Sequence, residues 1–509
     1  MKLDFARNMK RNMVSSAVNN IIRLLFPFLN RTLFLWLLGP EYLGLNGLFG
    51  SILGVLMLAE LGFGSAVISS MYKPIADDDR ELTCAYLRFY RTVYRWVGAV
   101  IFFGGLCLLP FLRKLIHGDV PPDIDLHILY VIHLVNAAAS YFFFAYRGSV
   151  LAVHHRNDVL NNVRTFTSIV QYVVVFLILL LTRSYYLYVI ATVFFTIISN
   201  LLIFRESRRL FPAIEPRGAL SAENRRRVLS DVKSVFLHKV GGVVSYSFDN
   251  IVISVFLGLV AVAAYGNYYY VVTSVAGLIS IIYKSVLGGF GNKIYTETKA
   301  ANFRLFMKMM RMTQLCIMWS SAMMAALYQP FVVVWTRGDP ALVRHAITPM
   351  LMILYFYVNQ SRQMLLSFKA AAALWKQDRW KPIVGSLVNL AFNFSFVIWF
   401  PDAYKLDGVI LSTIISYLFI QIPWETHVVF KYFFNGAQAR VYWWAHIRFA
   451  LLTLALCGIT WDTARLIPLD GIGGVIAKGA VVAFVSVGTL IMVFPNVLSA
   501  RGKLRSQKE

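Results

Sequence analysis

Long apolar runs recur from one end of the chain to the other. A helix needs about 20 apolar residues to cross a hydrocarbon core of roughly 30 Å. The runs are continuously apolar and do not alternate with period two, which favours helices over a membrane β-barrel. We expect about fourteen transmembrane helices, at Met13–Leu38, Tyr42–Met71, Trp96–Phe111, Leu126–Tyr146, Phe166–Thr182, Tyr185–Phe204, Val235–Leu257, Val260–Tyr283, Met307–Tyr328, Ala346–Phe368, Ile383–Phe400, Leu406–Val428, Tyr442–Leu466 and Gly473–Phe494.

Composition supports this interpretation. Of the 509 residues, 58% are hydrophobic and 15% are charged, whereas soluble domains carry about 25% charged residues. This balance excludes a set of soluble domains, a disordered chain and a collagen-like repeat. The four cysteines are scattered through apolar runs and indicate neither a disulfide framework nor a zinc site. The first apolar run is too long for a cleaved signal peptide, so we expect none. The predicted fold class is an all-α polytopic membrane protein.

The basic residues predict the orientation. Lys and Arg near short loops stay on the cytoplasmic side of a membrane. With the N-terminus inside, 35 of the 49 basic residues fall in inner segments and seven in outer ones. We expect both termini to be cytoplasmic. Most of the formal net charge of +24 is explained by this topology, and nucleic acid is not an expected partner.

A weak internal repeat has a period near 221 residues. Ala152–Val163 and Ala373–Val384 are both polar inner loops, and Leu38-Gly39 corresponds to Leu257-Gly258. Both halves have six predicted helices and begin inside, so an axis along the membrane normal should relate them. We predict a six-helix bundle over 1–204, a basic cytoplasmic linker over 205–234, a second bundle over 235–430, and two added helices with a basic tail over 431–509. The interface between bundles is the expected substrate site.

Helix one carries a polar stripe. At 100° per residue, its polar side chains fall within a wedge of about 120°. Such a stripe lines either a helix interface or a water-filled cavity. Its members are Ser16, Asn19, Asn20, Arg23, Asn30 and Arg31.

Charged residues inside predicted spans are candidates for function because they are costly in a bilayer. By depth, Glu60 could pair with Arg23, and Asp249 with Arg31 across the two halves. The alternative for each is a plain intramembrane ion pair. Arg362 lies in the polar patch Asn359–Gln363, which indicates a broken or cavity-facing helix. Its alternative is to extend to the inner surface.

Several motifs are absent from the sequence. There is no phosphate loop, no H-E-x-x-H, no nucleophile elbow and no cysteine metal cluster. We therefore expect no cofactor, no metal site, no catalytic residues and no ATP hydrolysis by this chain.

Two stretches carry a family resemblance. Leu37–Val67 (LLGPEYLGLNGLFGSILGVLMLAELGFGSAV), followed by Met71–Asp79 (MYKPIADDD), resembles the start of polysaccharide-type flippases of the multidrug/oligosaccharidyl-lipid/polysaccharide exporter superfamily. Ser247–Val271 resembles the seventh and eighth helices of the same family. The resemblance implies transport of a polyprenyl-pyrophosphate-linked oligosaccharide to the outer leaflet of a bacterial inner membrane, with glycan biosynthesis proteins as further partners.

These observations give a hypothesis for the mechanism. Two bundles would enclose a hydrated basic cavity and open it on alternate sides. The predicted diphosphate ligands are Arg23, Arg31 and Arg362; Asn19, Asn20, Asn30 and Asn46 would meet sugar hydroxyls, with the prenyl tail left in the membrane lipid. Glu60 and Asp249 would restrain the arginines or bind a coupling H⁺ or Na⁺. The alternatives are a cation-coupled drug antiporter on the same scaffold and a membrane glycan polymerase.

Overall fold

The computed structural model describes residues 19, 22 and 25–493 except Leu61 and Trp375, without the side chains of Ala59, Lys376 and parts of 234–244 and 284–295. Within these residues all regular structure is helical, and the predicted fold class is confirmed. The α-helices are α1 Leu25–Leu38, α2 Pro40–Leu56, α3 Phe63–Ala76, α4 Arg80–Leu106, α5 Leu126–Phe142, α6 Gly148–Val153, α7 Asn157–Thr182, α8 Tyr185–Leu210, α9 Ala222–Leu257, α10 Leu259–Thr296, α11 Lys299–Trp335, α12 Ile347–Ala371, α13 Lys381–Trp399, α14 Lys405–Ile415, α15 Ile422–Tyr432, α16 Gly436–Arg465 and α17 Gly471–Val493.

Where its residues are described, each predicted span coincides with one of these helices or with a broken series of them. In the described part of the chain, seven helices are long and apolar enough to cross a membrane, and nine are if each of two bent pairs forms one span. The remaining spans are interrupted or carry polar residues. The protein is a multi-pass membrane protein.

The second predicted span, Tyr42–Met71, is not one continuous helix. α2 ends at Leu56, a short 3₁₀ helix covers Met57–Glu60, and α3 starts after Gly62. Gly62 has φ of 98°, a left-handed conformation that glycine adopts without a steric penalty. The glycine therefore permits the break, and the break places Glu60 at the end of an interrupted helix.

The short turns at the predicted repeat positions share one backbone conformation. Gly39, between α1 and α2, has φ of 111° and ψ of 175°. Gly258, between α9 and α10, has φ of 85° and ψ of 180°. Both glycines have positive φ, so both turns depend on glycine. The two turns are thus alike at positions that the sequence comparison pairs.

The chain divides into two compact units, Met1–Ala263 (unit 1) and Ala264–Glu509 (unit 2). In unit 1, α9 packs on α2 and α3, and α7 packs on α8. In unit 2, α11 packs on α12, α16 and α17. The predicted bundle boundaries at 204, 235 and 430 stay predictions.

The segment between α8 and α9 is hydrogen-bonded to other parts of unit 1. Arg147 donates a hydrogen bond of 2.7 Å to the carbonyl of Ile214, and Arg88 donates one of 2.8 Å to the carbonyl of Gly218. Because α8 extends to Leu210 and α9 begins at Ala222, much of the predicted linker is helical.

Candidate functional site

Glu60 lies at the break in the second span and is held by tyrosines. Tyr94 and Tyr141 each donate a hydrogen bond of 2.6 Å to one oxygen of its carboxylate. Tyr90 donates to the Tyr94 hydroxyl at 2.7 Å. Hydrogen bonds to an ionised acceptor are stronger than those between neutral groups. The geometry gives a half-buried carboxylate bonded by hydroxyl groups contributed by α4 and α5.

The polar residues of helix one contact several neighbouring helices. Asn19 is buried and donates to the Thr165 hydroxyl of α7 at 2.7 Å. Asn30 donates to the Tyr188 hydroxyl of α8 at 2.8 Å. The sequence-predicted stripe therefore includes amides in helix interfaces. Arg23 and Asn20 lie outside the described residues.

Arg31 is half-buried. Its Nη2 donates to the carbonyl of Ala263, in the second turn of α10, at a distance of 3.4 Å. This contact links α1 to the start of α10, within unit 1. A guanidinium carries five N–H donors, so this position combines a fixed positive charge with a capacity for several acceptors.

Asn46 belongs to a polar chain between α2, α5 and α8. Tyr185 donates to its Oδ1 at 3.4 Å, and His133 Nε2 lies 3.1 Å from the same tyrosine hydroxyl. The ring of Phe34 packs edge-on against Tyr185, with ring centroids 5.1 Å apart. Asn46 is half-buried, and its partner Tyr185 lies beside Tyr188, the partner of Asn30, with ring centroids 6.1 Å apart.

Asp249 is buried on α9, with an exposed fraction of 2%. Its neighbour Asn250 donates to the Ser51 hydroxyl of α2 at 2.9 Å. The polar face of α9 therefore packs on α2. The predicted pairing of Asp249 with Arg31 stays a prediction.

Unit 2 contains a buried charge cluster of three cations and two carboxylates. The side chains of its members are 0–6% exposed. They come from α12, the 3₁₀ turn before α13, the start of α13, and α15. The members are Arg362, Lys369, Asp378, Lys381 and Glu425.

Glu425 is at the centre of this cluster. Arg362 Nε donates to its Oε2 at 3.2 Å, and Arg362 Nη2 and Lys381 Nζ both contact its Oε1. Lys381 Nζ also lies 3.5 Å from Asp378 Oδ2, which Lys369 contacts as well. Burial of a charge is tolerable only where such partners compensate the lost hydration.

A π-helical turn shapes the wall around Arg362. It covers Ser416–Gln421 between α14 and α15. Gln421 Oε1 accepts a hydrogen bond of 2.7 Å from Arg362 Nη2, and the guanidinium carbon lies 4.4 Å from the centroid of the Tyr417 ring. Single π-turns inside helices are common at functional sites. Arg362 is thus fixed inside unit 2 by a carboxylate, an amide and an aromatic ring.

Several of these residues were not identified from the sequence. Glu425 lies in the apolar stretch Leu406–Val428, whose one other acid, Asp407, is at its outer end; an acid inside a span is itself a signal. Asp378 and Lys381 were assigned to a polar loop. The tyrosines around Glu60 could not be singled out among 26 tyrosines. Among the described residues, no group of three or more His, Cys, Asp or Glu side chains could hold a metal ion.

Comparisons with known proteins place the chain in a family. Residues 9–287, more than half of the chain, match the family described as "Polysaccharide biosynthesis protein". The comparison with curated proteins finds no match.

Solved structures show the same fold. The lipid II flippase MurJ in an inward closed conformation has a TM-score of 0.64 at 13% identity, over 96% of this chain and 99% of MurJ. A MATE protein in complex with MaL6 has a TM-score of 0.57 at 14% identity, over 87% and 96%. An outward-facing multidrug resistance MATE transporter of the MOP superfamily has a TM-score of 0.56 at 14% identity, over 87% of this chain and 96% of that transporter. The chain belongs to the polysaccharide biosynthesis protein family.

Proposed function

We propose that this protein is a flippase that moves a polyprenyl-pyrophosphate-linked oligosaccharide across the bacterial cytoplasmic membrane by alternating access, for surface polysaccharide biosynthesis. The observation that carries the proposal is the half-buried Arg31 guanidinium, which reaches the α10 backbone inside unit 1 of a chain from a polysaccharide family. Unaided passage would strand the diphosphate and sugar hydroxyls in hydrocarbon, at several kcal/mol per unsatisfied group.

Arg31, with Arg23, would bind the diphosphate in this proposal. Asn46, Asn30, Asn19 and Asn20 would meet sugar hydroxyls. For Asn46, Asn30 and Asn19, exchange of their present tyrosine and threonine partners for sugar would keep each amide hydrogen-bonded. The prenyl tail would stay in the membrane lipid.

Arg362 has a different role in the proposal from the other two arginines. Its guanidinium is bound to Glu425 and Gln421. It could bind a phosphate only by exchanging one anionic partner for another. Lys381, which already contacts Glu425, would then keep that carboxylate neutralised.

Glu60 is the proposed coupling carboxylate, with Asp249 as a second candidate. The hydroxyl groups of Tyr94 and Tyr141 donate to the Glu60 carboxylate, and H⁺ or Na⁺ would compete with them for its oxygens. The distribution of basic residues along the sequence supports placing both termini in the cytoplasm. Glycan biosynthesis enzymes would supply the substrate and use it after transfer.

A reconstituted assay tests the proposal. Purified protein in proteoliposomes is given a fluorescent short-chain polyprenyl-diphosphate oligosaccharide, and its appearance in the opposite leaflet is followed by quenching. Loss of a charge-assisted hydrogen bond is worth about 1.5–3 kcal/mol, so we expect Arg31→Ala to lower the rate by about tenfold or more. Arg31→Lys should retain part of it.

The matched control is Arg448→Ala, which removes an exposed arginine from α16 and should leave the rate unchanged. Wild-type transport in the double variant with Arg23→Ala and Arg31→Ala, at equal reconstitution, would remove the arginines from the mechanism. Export of a cationic drug without glycolipid transfer would instead identify an antiporter, and a change in glycan mass would identify a polymerase.

A further inference from the structure

Two carboxylates in unit 2 share one ammonium group. Glu425 and Asp378 have side chains with 0% exposure and come from different elements. The Lys381 Nζ contacts Glu425 Oε1 and lies 3.5 Å from Asp378 Oδ2. The ammonium thus occupies the position between two buried carboxylates that would otherwise repel each other.

A buried pair of carboxylates requires a cation nearby, because each isolated charge is costly to remove from water. A dissolved monovalent ion bound by carboxylate oxygens would meet this need, and so does an ammonium with its three donors. In this cluster each carboxylate also has a second side-chain cation, Arg362 for Glu425 and Lys369 for Asp378. Three cations already exceed two carboxylates, so a further positive ion would be repelled.

We propose that the Lys381 ammonium is a permanently attached monovalent cation in a site formed by Glu425 and Asp378, and that unit 2 for this reason binds no dissolved coupling cation. The proposed site is inferred only from the contacts of Lys381 with Glu425 and Asp378. Its consequence for coupling rests on the proposed transport function: coupling would depend on Glu60 of unit 1, to which hydroxyl groups of Tyr94 and Tyr141 donate.

The wild-type protein gives the first test. We expect its melting temperature in detergent to be equal in sodium, potassium and choline chloride at one ionic strength. A saturable, sodium-specific rise in melting temperature that disappears in Glu425→Gln would overturn the inference.

Chemical rescue gives the second test. Lys381→Ala leaves a space between two carboxylates that each keep a single cation, Arg362 or Lys369, so its lowered melting temperature should rise saturably with methylammonium and not with choline. Lys405→Ala is the matched control, because Lys405 contacts Asp402 with the same i,i+3 spacing, but Asp402 is 94% exposed. It should show no amine-specific rise. A Lys381→Ala protein that folds and gains no more from methylammonium than from choline would contradict the site.

If Lys381→Ala does not fold, Lys381→Gln is used in the same methylammonium titration. The comparison of wild-type melting temperatures in sodium, potassium and choline chloride does not depend on either variant. Both melting arms contain no glycolipid. Failure of the proposed flippase function would therefore appear as absent transfer with cation-independent melting, whereas failure of this inference would appear in the melting curves themselves.

Discussion

Tyr141 of α5 donates a hydrogen bond of 2.6 Å to Glu60 across the break in the second transmembrane segment. The donor lies 81 residues away in the sequence from its acceptor. The carboxylate is thereby attached to a neighbouring helix at the point where its own helix is interrupted. Movement at the Gly62 break would change this contact, so the two residues connect backbone geometry to the charge at position 60.

Substitution of this tyrosine tests how much the contact stabilises unit 1. Tyr141→Phe should destabilise the protein by about 1.5–3 kcal/mol, the range for a hydrogen bond to a charged group. The measurement is the unfolding midpoint in detergent. Tyr130→Phe is the control: Tyr130 lies on the same helix, is equally buried, and its hydroxyl has no hydrogen-bond partner among the described residues. We expect it to be neutral, and equal losses in both variants would contradict the role of the Glu60 contact.

Much of the fold follows from the sequence because the bilayer imposes a simple rule. A backbone in hydrocarbon must satisfy its own hydrogen bonds, so a long apolar run becomes a helix. Every predicted span from Met13–Leu38 to Gly473–Phe494 coincides with helix in the described residues. The breaks were harder to predict. Gly62 is one of 32 glycines, and only tertiary packing determines which of them adopts a positive φ.

The candidate site was less predictable than the fold, for a physical reason. The sequence ranks single residues by their cost in a bilayer, and this ranking identified Arg31, Glu60, Asp249 and Arg362. It does not specify partners. Glu425 lies 63 residues beyond Arg362 in the sequence, and it contacts both Arg362 and Lys381. These contacts depend on how α12, α13 and α15 pack, and the periodicity of the sequence does not determine that packing.

The close contact between α2 and α10 in unit 1 predicts that Gly44 cannot be replaced without loss of stability. A Cβ on Gly44 would lie 2.1 Å from the carbonyl oxygen of Leu259. Because the obstacle is backbone, the helices must separate, and Gly44→Ala should cost at least about 1–3 kcal/mol. Gly50→Ala on the same helix meets nothing within 4 Å and should be neutral or stabilising by about 0.5–1 kcal/mol. Unfolding midpoints of both variants test this, and a tolerated Gly44→Ala would contradict the close approach.

The buried charge cluster predicts an order among its variants. Glu425→Gln removes the one carboxylate shared by Arg362 and Lys381, leaves two buried cations without it, and should cost about 3–5 kcal/mol. Arg362→Gln leaves Glu425 with Lys381 and should cost less. Glu215→Gln, in the exposed pair with Arg208, should cost about 0–1 kcal/mol. Denaturation of the three variants side by side measures the order, and a larger loss in Arg362→Gln than in Glu425→Gln would contradict the central position of Glu425.

The burial of His154 predicts that the folded protein loses stability in mild acid. It follows α6 outside the spans; its Nδ1 lies 2.7 Å from the carbonyl of Val150, and its ring stacks on Phe211. Burial lowers the pKa of this imidazole below its ordinary value of 6.5. The unfolded chain therefore takes up a proton near pH 6.5, while the folded protein does so only at lower pH, so the stability that His154 contributes above pH 6.5 is lost as the pH falls.

Melting temperatures measured between pH 8 and pH 5 in wild type and His154→Gln test this linkage. The difference between the two proteins should be constant above about pH 7 and shrink toward pH 5, because the glutamine does not titrate. A difference that stays constant over the whole range would show that His154 carries no proton linkage to folding. A difference that grows in acid would mean that the folded protein binds the proton more tightly than the unfolded chain, the reverse of what burial beside Phe211 imposes.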